Sequence, residues 1–142
     1  MTEFHLAPQL QQDCFTLGKL GESLLLLFNN SLVPWFILVP PAQTTELFEL
    51  DAVSRLQLVQ ETDALAAWVK TAFDCDKINV ASIGNLVSQL HVHVVGRRRD
   101  DYCWPGVVWG RPEREVYTDQ AVMEIVAALS ANLGDRFELL DH

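Results

Sequence analysis

The chain has 142 residues, of which 49% are hydrophobic and 20% charged, with a formal net charge of −9. That length fits one domain, spanning 1–142, with enough buried surface for a core. The acidic balance excludes broad nucleic-acid binding, which needs a basic face, but leaves room for a local positive pocket that takes a small anion.

In chain order, "CFTLGKLGE" (14–22) reads as a strand running into a glycine turn. "SLLLLFNN" (23–30) follows as a buried strand ending at two asparagines, and "WFILVPP" (35–41) as a third, stopped by Pro40 and Pro41. Leu50, Val53, Leu56, Val59, Leu65, Trp68, Val69 and Phe73 then recur at three- and four-residue steps, which predicts an amphipathic helix. Thr45 or Asp51 could cap its start. "KINVASIG" (77–84) and "QLHVHVVGR" (89–97) return to strand periodicity. A last helix covers about 119–133, with Thr118 as N-cap and Gly134 at its end. The expected fold is α+β, a single antiparallel sheet of about five strands with two main helices.

No apolar run reaches the roughly 18 residues of a membrane helix, and "MTEFHLAPQL" lacks the pattern of a secretory leader. The cysteines Cys14, Cys75 and Cys103 are odd in number and have no metal-ligand spacing. These features predict a cytoplasmic protein with reduced thiols and no membrane or nucleic-acid partner.

Two of the four histidines, His91 and His93, stand two residues apart. On a strand, Gln89, His91 and His93 share one face while Leu90, Val92 and Val94 share the other. Such a pair can be half-exposed polar residues, or two metal ligands awaiting a third from His5, His142 or a cysteine. It can also be a catalytic pair. A neutral imidazole attacks phosphorus without the repulsion an anion meets, and the resulting phosphoramidate splits one hard step into two. The second ring could donate to a phosphate oxygen as charge builds. This scheme calls for no metal and no cofactor.

The run Q-L-H-V-H-V-V-G-R resembles the signature of the histidine triad family, His-φ-His-φ-His-φ-φ with φ apolar. Gly84-Asn85 upstream, an arginine just downstream, "WPGVVWG" (104–110) and "WFILVPP" also look like bacterial members, so the likeness runs from about 13 to 133. It implies a homodimer that binds nucleotides and transfers or hydrolyses nucleotidyl groups from phosphoramidates or dinucleoside polyphosphates. His91 stands where the family has its nucleophile, and His93 where it has the histidine beside the phosphates. Gln89 replaces the first histidine, which keeps a nucleotide-binding module without turnover as an alternative, and Trp35 stands where several relatives carry a histidine. Asn29 and Asn30 resemble the position that binds the nucleoside sugar. Asn85 and Ser88 are candidate phosphate contacts. Arg97, with Arg98 and Arg99, is a phosphate contact, a dimer contact or a solvated strand end. "WPGVVWG" either closes over the site or lies at a dimer interface.

Overall fold

The computed structural model describes residues 4–140. Its elements are α1 (Pro8–Asp13), β1 (Cys14–Leu20), β2 (Ser23–Phe28), β3 (Trp35–Val39), α2 (Ala52–Ala72), β4 (Lys77–Ala81), β5 (Val92–Arg97), α3 (Asp119–Leu133) and β6 (Phe137–Leu139). The strands form one antiparallel sheet in the order β4-β5-β3-β2-β1-β6. The α+β reading is therefore right, with one more strand and one more helix than expected.

Asp51 is the cap that α2 uses: its carboxylate accepts from the Ser54 backbone N–H at 2.8 Å, and Thr118 does the same for α3 through Ala121. The two missed elements are short. β6 has three residues and exists by pairing with β1 across Gly18, where a Cβ would collide with the Glu138 carbonyl oxygen. α1 begins at Pro8, whose fixed φ suits a first helical turn.

The central strands are buried on both sides, which is why they read as unbroken apolar runs rather than as alternations. Leu25, Leu27, Phe36, Leu38, Val92 and Val94 pack beneath α2 and α3. On the opposite face Leu26, Trp35, Ile37, Val39 and Val95 form a second core with Leu10 and Val108. Among the described residues no long helix covers that second face. The N-terminal segment and the loop after β5 cover it instead, and a cavity opens between them.

β5 begins later than its sequence pattern suggests. Its ladder starts at Val92, opposite Leu38, and His93 lies opposite Ile37. Gln89, Leu90 and His91 precede the strand, so alternation does not govern where Gln89 points.

Candidate active site

His93 is fixed by the sheet. Trp35 lies two residues from Ile37 on β3, which makes it the diagonal neighbour of His93 on the same face. Its indole Nε1 donates to His93 Nδ1 at 3.0 Å. An indole N–H can only donate, so His93 Nδ1 presents its lone pair and the ring proton of the neutral form sits on Nε2. The rings of Trp35 and Trp109 meet His93 edge-on at 5.9 and 5.5 Å. Burial in this aromatic shell, reinforced by the neighbouring His91, pushes the His93 pKa down to about 4. His93 is neutral at pH 7.

His91 is held in the opposite sense. Its Nδ1 lies 2.7 Å from the backbone carbonyl oxygen of Gln89. A carbonyl can only accept, so Nδ1 carries the proton and Nε2 the lone pair. The two rings are 4.9 Å apart. One ring offers a lone pair at Nε2 and its neighbour an N–H at Nε2. That pairing suits a nucleophile beside a hydrogen-bond donor.

Both histidines line a cavity of about 840 Å³, within the ordinary range for small-ligand sites. Asn85 and Asn30 line it as well. Asn30 holds up the wall rather than standing free: its Oδ1 accepts from the N–H groups of Leu32 and Glu115, and its Nδ2 donates to the Glu113 carbonyl. Asn29 is not on the lining, and its Oδ1 accepts from the Tyr117 N–H at 2.9 Å. The asparagine pair thus joins the end of β2 to the segment 113–117.

Three other expectations meet a different geometry. The Gln89 side chain is outside the cavity; its Oε1 accepts from Ala7 N–H and its Nε2 donates to the His5 carbonyl, each at 2.8 Å. It pairs with the N-terminal segment as a strand would, because a primary amide has the same donor and acceptor as a peptide unit. Ser88 lines the shallow depression beside that pairing, with Phe4, His5 and Gln89. Arg97 is 1% exposed and turned away from the cavity. Its guanidinium forks onto Asp101 and also donates to Asn79 and the Gly106 carbonyl. It thereby fastens the loop that carries "WPGVVWG". Arg98 pairs with Asp100 in solvent.

Val108, Trp109 and Gly110 of that loop line the cavity, so part of the segment does close over the site. The positive charge near the cavity comes from Arg111 and Arg114, which sequence reasoning passed over in favour of the 97–99 run. Arg111 pairs with Glu113, and Arg114 lies 5.3 Å over the Phe28 ring. Gln9, Leu10 and Asp13 of α1 supply the facing wall. The available signal was "WGRPER", an aromatic and two arginines in a glycine- and proline-broken loop. Among the described residues no group of three or more His, Cys, Asp or Glu side chains comes together as a metal site. His142, a candidate third ligand in the sequence, lies outside the described residues.

A family model described as HIT domain matches residues 9–100. The fold closely follows three bacterial crystal structures, each with a TM-score of 0.87. A histidine triad protein of Sinorhizobium meliloti 1021 is 39% identical over 91% of this chain and 96% of its own. One from Marinobacter aquaeolei VT8 is 37% identical over 92% and 96%, and one from Bradyrhizobium japonicum 35% over 91% and 97%. A search of curated proteins found no match. With the model spanning most of the chain, the solved relatives covering nearly all of it, and the histidine pair at its cavity, this chain belongs to the histidine triad (HIT) family.

Proposed function

We propose that the protein is a nucleotide hydrolase or nucleotidyl transferase acting at an α-phosphate, with His91 as nucleophile. The observation that carries this reading is the opposed tautomers of His91 and His93 at one cavity. In the first step His91 Nε2 forms a bond to phosphorus as the bond to the leaving group breaks. The ring becomes cationic, and its Nδ1–H bond to the Gln89 carbonyl steadies that charge. His93 Nε2–H donates to a phosphate oxygen. Water then attacks phosphorus and gives a proton to solvent, the P–N bond breaks with its electrons returning to His91 Nε2, and a nucleoside monophosphate leaves with His91 restored. A dinucleoside polyphosphate, whose leaving group departs as a phosphate anion, fits the scheme as it stands; a nucleoside phosphoramidate fits where solvent supplies the proton that its leaving nitrogen needs.

Gln89 enters this chemistry through its main chain. Asn30 and Asn85 stand at the wall where a sugar and phosphate would lie. A homodimer is part of the same proposal, supported by the outer edge of β4, unpaired among the described residues, with Val80 and, beyond it, the fully exposed Leu86.

The test is release of nucleoside monophosphate from both substrate types, by wild type and by His91→Ala, with and without a chelator. The variant is expected to lose at least about a thousandfold in rate, roughly 4 kcal/mol of barrier, with its melting temperature close to wild type. Activity within about tenfold of wild type would remove His91 from the nucleophile's role. Loss of wild-type activity on chelation would replace the scheme by a metal-dependent one.

A further inference from the structure

Trp35 has a role that packing alone does not explain. It is 6% exposed and its ring touches Phe28, His93 and Trp109. A phenylalanine would fill much of the same space. Only the indole supplies an N–H to His93 Nδ1, and unlike a histidine it can neither accept a hydrogen bond nor titrate. Protonating His93 at Nδ1 would set two N–H groups against each other in a buried site. His93 is thus confined to one state: neutral, with its proton on Nε2.

A neutral imidazole donates a hydrogen bond readily but gives up its N–H proton only to a very strong base. The cavity offers little else as an acid. The titratable groups lining it are Asp13, His91, Arg111, Glu113 and Arg114. His91 is the attacking base. The two arginines do not release protons near neutrality. Arg111 holds Glu113 below the usual carboxylate range, which keeps it an acceptor, and Asp13 already accepts from Gln9.

We infer that Trp35 is a positioning residue that locks His93 as a pure hydrogen-bond donor, so that the site favours nucleotides whose leaving group departs as a stable anion, such as a phosphate or an acidic phenol, over those that need a proton to leave. The inference rests on the nucleotidyl-transfer reading. In the step it describes, the P–O bond breaks with both electrons going to the departing oxygen, and the proton on His93 Nε2 stays on nitrogen.

The experiment has two arms on the full-length protein. Nitrogen-15 NMR of the imidazole rings reads the tautomer of His93 in wild type without substrate. The expected result is a protonated Nε2 that does not titrate between pH 5 and 8. The second arm measures kcat/KM on nucleoside 5′-phosphate aryl esters whose phenols span a range of acidity, for wild type and Trp35→Phe. Wild type should depend steeply on phenol acidity. In the variant the indole N–H no longer opposes a proton on Nδ1, so a protonated His93 becomes accessible as an acid as the pH falls toward 5, and there the ratio between best and worst leaving group should shrink by at least about tenfold. A proton on Nδ1 of wild-type His93, or a shallow dependence shared by both proteins, overturns the inference while leaving nucleotidyl transfer standing. Absence of turnover on every ester removes both. If Trp35→Phe does not fold, the wild-type tautomer and the wild-type dependence still decide.

Discussion

Gln89 acts through two sets of atoms that face different ways. Its carbonyl oxygen holds the Nδ1 proton of His91, while its side-chain amide ties down the backbone at His5 and Ala7. Any residue at 89 keeps the carbonyl, so the departure from a triad histidine leaves the hold on His91 Nδ1 in place. Gln89→His is expected to change the hydrolytic rate by less than about tenfold, or roughly 1.4 kcal/mol, when the two proteins are compared across pH 5 to 9. Gln89→Ala removes two neutral hydrogen bonds to a segment that carries one wall of the cavity, a loss of about 1–3 kcal/mol in local order. It should raise KM more than it lowers kcat and speed amide exchange over residues 4–13. A fall in kcat with unchanged exchange would mean that the side chain takes part in the chemistry.

At the level of elements, the loop after β5 stands or falls with Arg97. Its charge is buried against Asp101, whose side chain is 5% exposed. The same guanidinium reaches across to Asn79 on β4 and to the Gly106 carbonyl. Arg97→Ala would leave Asp101 without its cation, and the removal of one partner from a buried pair typically costs about 3–5 kcal/mol. Urea unfolding should show a loss of that size. Arg97→Lys should recover part of it, because an ammonium keeps the charge but not the fork.

The same elements explain what could be read from sequence. β2, β3 and α3 were legible because they carry a period or an unbroken apolar run; α2 was legible as a helix, but its expected face held only at Leu65, Trp68 and Val69, while Val53, Leu56 and Val59 are exposed. β6 and α1 are too short for either, and they exist through partners far along the chain. The histidine pair was visible as a motif. The destination of Gln89 was not, because a strand pattern extended over 89–91 assigns it a face, whereas the chain there makes no ladder and its side chain answers to the N-terminal segment. The arginine run misled for a similar reason. Sequence counts charges but does not show that Asp101 consumes the first of them.

For the molecule as a whole, the low pKa of His93 links folding to acidity. In the unfolded chain an ordinary histidine takes up a proton near pH 6.5, whereas folded His93 refuses it until about 4. Below 6.5 the unfolded state therefore binds more protons than the native one, and stability falls as the pH drops toward 4. His93 is 8% exposed, so its share is on the order of 3 kcal/mol. Unfolding free energies measured at pH 7 and pH 4.5 should differ more in wild type than in His93→Gln, which has no titrating ring. Equal losses in the two proteins would mean that carboxylates, and not this histidine, set the acid limit.

The bonds that complete the cavity wall join distant parts of the chain. Ala7 and Gln89 are 82 positions apart, Asn30 and Glu113 83, Asn29 and Tyr117 88. Closures over such spans come late in folding, because the entropy of bringing the ends together is lost before the contacts repay it. A growing polypeptide that has emerged as far as β5 already carries both histidines but lacks Trp109, Arg111 and Arg114. During synthesis the histidine pair is thus present before the cavity that surrounds it. The wall of the cavity is complete only after Arg114 has emerged.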